Sequence, residues 1–407
     1  MASETEQTGG GSREKASQAA VAAAGELFLD QADILTEVLL RLDVKSLCNC
    51  RCVCKAWKAT IANPAFDKMH SERYNRRDYL LFEEKVFYGL PYGLSSIRYI
   101  IAEHNEVDME VRATRLGGVV ISDKYWTRGN LLAQDGGLVC FVSESKLIYL
   151  CNPQTGQTTF LPLEPFQSSS NSISILNAGL VFGYLSSKRE YVIIVIGVSW
   201  KKMRSFRANG FVKSFRASKF CFDFDHGSSY SASWKEIKEN CPYCVDEGGI
   251  LVDNSAYWVA REKNKPIITL DLESDKFGLI GYPPGWDSRL LSNSNSVSAR
   301  LIDLKGQLYL TDSFSYVRSG MIELWALIKT NESCWVKEHA IKLDFPVASV
   351  YPKSSSRGEL IVESRANEDC VKKYYIVNPY KESARLVNPV EYTDDIYLVG
   401  FFRRNFF

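Results

Sequence analysis

Residues 34–70 read ILTEVLLRLDVKSLCNCRCVCKAWKATIANPAFDKMH. They hold two amphipathic helical patterns, in a chain whose later residues alternate like strands. In the first, Ile34, Leu35, Val38, Leu39 and Leu42 fall at i, i+1, i+4, i+5 and i+8, one face of a helix. Asp33 is the candidate N-cap, because a carboxylate there accepts from the open N–H groups of the first turn. In the second, Leu47, Cys50, Val53, Cys54, Trp57 and Ile61 share a face of one helix. It stops near Asn63-Pro64, since proline disfavours helical geometry at the residue before it. A segment of about 45 residues is near the lower limit for folding alone. Its apolar surface needs a cover, and periodicity leaves two: the rest of this chain, with the helices as an N-terminal cap, or another protein.

The spelling of the stretch is more specific than its period. In order, Asp33-Ile34-Leu35, Glu37-Val38-Leu39, Arg41-Leu42, Val44-Lys45-Ser46-Leu47, Arg51-Cys52-Val53-Cys54-Lys55, Trp57 and Pro64-Ala65-Phe66 resemble the F-box. The resemblance implies a small all-α module, here 26–70, that docks on the Skp-type adaptor of a cullin ubiquitin ligase. Carried onto this chain, the adaptor contacts are Ile34, Leu35, Val38, Leu39, Leu42, Val44, Leu47, Val53, Cys54 and Trp57. Two positions depart from the family. Asp30-Gln31 stands where it usually has Leu-Pro, part of the adaptor contact, and Asp43 stands where it usually has Pro. Leu27, Phe28 and Leu29 lie just upstream as substitutes.

The chain has 407 residues, 45% of them apolar, enough for one large β domain beside a small module. A net charge of +1 provides no global field toward nucleic acid or anionic membrane. The longest apolar run, Tyr191 to Trp200, is half the roughly 20 residues that a membrane helix needs. Residues 1–25 lack the basic start and apolar centre of a signal peptide and read as a disordered tail. The expected location is the cytoplasm, the nucleus or both. Eleven cysteines, an odd number, then default to reduced thiols.

Two cysteine clusters look like chemistry. Cys48, Cys50, Cys52 and Cys54 recur every second residue, but on a helix successive members point about 200° apart and cannot converge on a tetrahedral ion. They read as apolar fillers and surface thiols. Cys241-Pro-Tyr-Cys244 spells a glutaredoxin-type redox motif, whose chemistry wants the first thiol at a helix N-terminus. Strand-like text flanks it on both sides, so it reads as a loop at a strand connection.

From Asp78 the chain reads as β, and a coarse repeat emerges. Units span 129–165, 175–238, 247–283, 298–345 and 347–392, with 78–115 as a sixth. Each opens on a Gly-led strand, forms a hairpin, and reaches a third strand that ends at Asn or Asp before a last strand. Asn152-Pro153, Asp271 through Asp275 and Asn378-Pro379 occupy that same slot, as turn residues do. Units of about 40 to 50 residues with four strands each predict a β-propeller. Six blades are expected, with seven as the alternative. The final run Ile396–Phe402 is placed to return to the first unit and close the ring.

Gly136-Gly-Leu-Val-Cys140, Asn152-Pro153, Gly179-Leu-Val-Phe-Gly-Tyr184, Ala256-Tyr-Trp258, Leu270-Asp-Leu272, Ile322-Glu-Leu-Trp325 and Asn378-Pro379 resemble, in order, the kelch-like F-box-associated domain of plant F-box proteins, here over 78–407. No catalytic motif accompanies them. His70, His104, His226 and His339 are scattered without a metal-ligand neighbour at i+3 to i+5. Phosphate-loop, dinucleotide and G-x-S-x-G signatures are absent. Lys276 replaces the glycine that a calcium loop would need after Asp271-Leu-Glu-Ser-Asp275. Asn331-Glu-Ser333 is a sequon that a non-secreted chain does not use. No metal and no cofactor is expected.

One stretch stands outside the repeat. From Lys201 to Lys219 there are seven basic residues, no acidic ones, and Phe206, Phe211 and Phe215 between them. It has two readings: a site for an acidic or phosphorylated target through Arg204, Arg207, Phe211 and Arg216, or a solvated strand pair with snorkelling side chains. Two function classes follow. The first is the substrate receptor of an SCF ubiquitin ligase, binding the adaptor, through it a cullin, and an unknown target protein, with no catalysis of its own. The second is a propeller enzyme or carbohydrate binder with a helical cap.

Overall fold

In the computed structural model the described residues are 31–63, 65–66, 69–70 and 73, and 78–402 without 88–94, 108–109, 123–129, 136, 143–146, 163–173, 186, 189, 206–207, 223–233, 246–247, 262–265, 287–298, 313–318, 330–333, 366–371 and 389–395. The tail 1–25 and Leu27 to Leu29 lie outside them. The chain forms two compact units, 1–73 and 74–407.

The first unit is helical: α1 (Gln31–Leu39), α2 (Val44–Cys50) and α3 (Lys55–Ile61). The sequence pattern predicted one helix where α2 and α3 stand. The break comes because Cys54 adopts an extended backbone, φ −159° and ψ 169°, and accepts from the Trp57 amide as N-cap of α3. The cap expected at Asp33 is elsewhere too. Asp33 sits inside the first turn of α1, where its charge still favours the helix dipole. Asp43 is the side chain that caps, its Oδ1 accepting from the Ser46 amide at 2.9 Å.

The second unit is built of strands. β1 (Tyr79–Phe87), β2 (Ser95–Val107) and β3 (Glu110–Ser122) form an antiparallel sheet. Five four-stranded meanders follow. The first runs β4 (Asn130–Asp135), β5 (Leu138–Val142), β6 (Leu147–Cys151) and β7 (Thr158–Pro162). The next runs β8 (Ser174–Leu185), β9 (Glu190–Ser205), β10 (Ala208–Phe222) and β11 (Lys235–Cys241). Then come β12 (Ile250–Val252), β13 (Ser255–Val259), β14 (Ile267–Asp271) and β15 (Lys276–Ile280). After these stand β16 (Ala299–Leu304), β17 (Gln307–Asp312), β18 (Met321–Ile328) and β19 (Cys334–Lys342). The last comprises β20 (Ser349–Val350), β21 (Leu360–Arg365), β22 (Lys372–Asn378) and β23 (Ser383–Asn388).

The ring closes as the sequence predicts. β24 (Ile396–Phe402) pairs antiparallel with β1, Tyr79 opposite Phe402 and Leu80 opposite Phe401. It is thus the first strand of a blade whose other three are β1, β2 and β3. That makes six blades, and the seven-bladed alternative falls. The sixth sequence unit also extends past its expected end at 115, to Ser122. First strands of successive blades lie against one another, β24 on β4, β4 on β8, β8 on β12 and β12 on β16, so they form the inner ring. At the seam, the buried Asp78 carboxylate accepts from the Ser356 amide and, at 2.6 Å, from its hydroxyl.

Each blade is sandwiched between two others, so both faces of its strands are apolar. In β9, Tyr191, Ile193 and Val195 pack toward the blade before, while Val192, Ile194 and Ile196 pack toward the blade after. Alternation therefore disappears from the text and leaves the run YVIIVIG. Six apolar clusters of described residues fill the six interfaces between blades. Trp258 anchors one of them, fully buried. Gly249 faces it: a Cβ there would lie 2.4 Å from both Trp258 Nε1 and Val181 Cγ2.

Strands alternate in direction within a blade. Turns between first and second strands and between third and fourth lie at one end, and the turn between second and third lies at the other. Asn152, Asp271 and Asn378 occupy the three–four turn, and each side-chain oxygen accepts from backbone amides two or three residues on.

Candidate functional site

The helical unit divides its apolar residues between an inside and an outside. On α1, taking Ile34 as origin, Val38, Leu35 and Leu39 follow at about 40°, 100° and 140° around the axis. Exposure falls along that arc: Ile34 is 51% exposed, Val38 49%, Leu35 half-buried and Leu39 fully buried. The helix is seated by one side of its stripe, and the other side is open. Val53, in the turn between α2 and α3, is 62% exposed, and Met69 is exposed as well. Leu42 and Trp57 are half-buried, Leu47 is fully buried, and Cys54 is exposed with its sulfur engaged as a cap. Val44 is the first residue of α2. Leu39 and Leu47 thus hold the unit together from within, with Leu40, Ile61 and Phe66, while Ile34, Val38 and Val53 are exposed.

His70 shows why the unit holds its shape after α3. The buried ring donates from Nε2 to the Leu42 carbonyl at 3.0 Å, since a carbonyl can only accept, and stacks on Phe66 at 5.9 Å between centroids. Glu37 and Arg41 form an exposed pair one helical turn apart at 2.9 Å.

The basic stretch is the long hairpin of β9 and β10. Its register sets Ser205 opposite Ala208, Arg204 opposite Asn209, Lys202 opposite Phe211 and Arg216 opposite Gly197. Antiparallel geometry then places positions 204 and 211 on one face and 216 on the other. Arg216 donates to the Glu236 carboxylate, with Nε at 2.7 Å. Lys219 pairs with Asp275, which Lys235 also reaches at 2.9 Å. So Arg204, Phe211 and Arg216 do not form one surface, and the two basic residues nearest the blade neutralise the protein's own carboxylates. Arg207 lies outside the described residues.

With this geometry in view, the comparisons are direct. The F-box domain model matches residues 32–69, and the F-box associated beta propeller domain model matches residues 113–398. The chain belongs to the F-box proteins with an associated β-propeller. An F-box/LRR-repeat protein of Arabidopsis thaliana is 24% identical over 88% of this chain and 78% of its own length. A protein of the same plant whose name reads F-box/kelch-repeat is 28% identical over 61% of this chain. The match spans 58% of that relative's length and 59% of the next one's, under two thirds of each. Among solved structures, a fungal lectin with a six-bladed β-propeller fold aligns with TM-score 0.38 at 12% identity, covering 74% of this chain and 93% of the lectin. An oligogalacturonate lyase aligns with TM-score 0.36 at 9% identity over 75% and 77%. Likenesses that loose bear on neither ligand nor activity.

The other sequence candidates of this F-box protein resolve as structural parts. Cys241 ends β11 and donates from Sγ to the Tyr243 carbonyl at 3.2 Å, and burial pushes its thiol up to about 12. Cys244 is buried. Both stand at a strand connection and not at a helix N-terminus. Cys48 and Cys50 lie in α2, Cys52 in the turn and Cys54 at the cap, so the four do not share one helix. The ten described cysteines are free thiols. Asp271 and Asp275 shape a hairpin: Asp271 Oδ1 accepts from the Ser274 amide and hydroxyl, both at 2.7 Å, and Asp275 adopts φ +56°. His226 and Asn331 to Ser333 fall outside the described residues, as does the side chain of His104.

A cleft of about 300 Å³ opens between the β12–β13 turn, the β16–β17 turn and the end of β18. Val252, Leu308 and Ile328 line it, with Asp253, Gln307 and Lys329 as polar members. The Lys329 ammonium lies 5.5 Å from the centre of the Tyr257 ring. No nucleophile–base pair stands in this lining. Among the described residues no group of three or more His, Cys, Asp or Glu is placed to hold a metal, and no helix is long and apolar enough to cross a membrane.

Proposed function

We propose that this chain is the substrate-receptor subunit of an SCF, cullin-type ubiquitin ligase, working in the cytoplasm or nucleus. The observation that carries the reading is the open side of the F-box, where Ile34, Val38 and Val53 stand about half exposed on a module otherwise packed around Leu39, Leu47, Ile61 and Phe66. An apolar strip of this kind, on a segment that matches the F-box, fits the groove of a Skp-type adaptor. The adaptor brings a cullin, and the propeller holds a target protein beside the ubiquitin-charged enzyme. Rate then comes from proximity, by turning a bimolecular encounter into an intramolecular one. No residue of this chain needs to touch the reacting atoms.

The fold supports that division of labour. Six blades locked by a returning strand give a rigid platform, and loops at its two ends are free to vary. The test is capture: the full chain, expressed with a recombinant Skp-type adaptor, is expected to co-purify with it at equal stoichiometry. Failure to retain the adaptor at micromolar concentrations overturns the reading.

A further inference from the structure

The cleft beside Lys329 opens on the propeller end that carries the Asn152, Asp271 and Asn378 turns. The β12–β13 and β16–β17 turns join first to second strands, and β18 is a third strand, so its last residues point the same way. Val252, Leu308 and Leu327 are buried members of the lining, Ile328 is half-buried, and Asp253 and Lys329 are exposed. Gln307 is fixed in place, its Nε2 donating to the Leu327 carbonyl. A volume of about 300 Å³ is at the lower end for a ligand pocket and suits an apolar side chain better than a cofactor. Asp271, which feels the Lys329 charge, is already bound to the Ser274 amide and hydroxyl.

The β16–β17 turn links this cleft to a second feature in the next blade. Leu304 pairs with Gln307, and the two residues between them, Lys305 and Gly306, have φ +56° and +80°, as a tight hairpin turn requires. Gly306 lines the cleft, whereas the Lys305 ammonium lies 4.6 Å from the centre of the Tyr380 ring. The Lys305 stem crosses Gly358, where a Cβ would lie 2.5 Å from Lys305 Cε and 2.9 Å from Tyr380 Cε2. The His339 ring meets Tyr380 edge-on at 5.1 Å. Tyr380 is thus held by three neighbours and is still 52% exposed, an anchored aromatic of the kind that dominates protein contacts. The exposed charges of these turns are Lys305, Lys329, Arg357 and Lys381 against Asp253 and Glu382, an excess of cations.

We propose that the cleft, with Lys329, Lys305 and Tyr380 around it, binds an acidic segment of a partner protein through one large apolar side chain. That side chain fills the cleft, and carboxylates on either side of it meet Lys329 and Lys305. A further residue of the segment packs on the exposed part of Tyr380, and the Asp253 carboxylate accepts from the segment's backbone amides. The cleft alone would accept any apolar side chain; the cations beside it set the register and exclude basic segments. A nucleic acid offers phosphates to the same cations but no aliphatic side chain to the cleft, which favours protein. The use of this site to present a target for ubiquitination rests on the substrate-receptor reading; the binding itself does not.

The test uses the full chain and a fluorescein-labelled peptide, Gly-Glu-Glu-Leu-Glu-Glu-Gly, followed by anisotropy at low salt. The double reversal Lys305→Glu, Lys329→Glu is expected to weaken binding more than tenfold, with melting temperature and adaptor capture unchanged. Lys342→Glu with Lys373→Glu makes the same change in charge at exposed lysines of the opposite propeller end, and is expected to alter affinity less than threefold. Two altered peptides need no variant protein: serine in place of the leucine, and glutamine in place of the glutamates, are each expected to cost at least tenfold. Equal binding of the serine peptide removes the anchor and overturns the proposal. Equal binding of the glutamine peptide, full binding by the first double variant, or an equal loss in the second overturns it too. Tighter binding of a single-stranded RNA than of the peptide, abolished by the first reversals, assigns the surface to nucleic acid and overturns it as well. Lost adaptor capture with intact peptide binding overturns the receptor reading and leaves this site standing; intact capture without peptide binding does the reverse.

Discussion

Glutamates at positions 34 and 38 separate docking from folding in the F-box. Ile34 and Val38 are 51% and 49% exposed, so each has about half its apolar surface left for a partner to cover. Fully burying such a side chain contributes about 1.5–3 kcal/mol, so the two together have about 1.5–3 kcal/mol to give to the adaptor. Ile34→Glu with Val38→Glu removes that and strands two carboxylates in an apolar contact, at about 1–3 kcal/mol each. Even the smaller figures sum to more than 2.7 kcal/mol, about a hundredfold in Kd. The helix itself stands, because glutamate is at least as good a helix former as isoleucine or valine, and the two new carboxylates cost each other only a few tenths of a kcal/mol. The assay is calorimetric titration of the full chain against a Skp-type adaptor, with circular dichroism confirming an unchanged fold. Affinity within threefold of the unaltered protein refutes the reasoning, since the open side of α1 then contributes nothing. Leu39→Asp does not make this distinction. Leu39 is fully buried, so the change removes the module along with its surface.

Three further outcomes are expected. Gly249→Ala drives a methyl to within 2.4 Å of Trp258 and Val181 and costs about 1–3 kcal/mol in chemical denaturation, whereas Gly248→Ala, with nothing within 4 Å, stays within about 0.5 kcal/mol. Ser274→Ala removes the hydroxyl that, before the backbone amide, holds the Asp271 carboxyl below its ordinary value. The stability that Asp271 gains from its lowered pKa is complete above the unfolded value of about 3.9 and is lost as pH falls through the lower folded one. The variant is therefore about 0.5–1.5 kcal/mol less stable at pH 7, and the gap is expected to close as pH falls through the lowered folded value. Iodoacetamide at pH 8 is expected to modify the exposed Cys52 and Cys334 in the native protein and to spare Cys151 and Cys241, whose thiols burial pushes up to about 12, as mass mapping will show.

Much of the propeller was legible before any coordinates. A blade is a local object: four strands in chain order, joined by turns whose Asn, Asp and Gly signal themselves. The units at 129–165 and 247–283 correspond to β4–β7 and β12–β15 for that reason. The β24 closure was legible too, because a C-terminal apolar strand with no neighbour in its own unit needs a partner elsewhere. The candidate sites were less legible, for one physical cause. Periodicity places Ile34, Leu35, Val38 and Leu39 on one arc but is silent on which end of the arc meets the core. Counting seven cations between 201 and 219 does not reveal that Lys219 finds Asp275, 56 residues away in the chain.

By itself, then, the sequence determined the F-box spelling, the all-β repeat and the returning strand, all of which depend on residue type at short spacing. Only the tertiary structure decided that Asp43 rather than Asp33 caps a helix, that α2 and α3 are separate, and that Arg216 is spent on Glu236. It also decided that the ring holds six blades and not seven. Those outcomes depend on which surfaces meet across distant parts of the chain, and packing and pairing across such distances leave no period in the text.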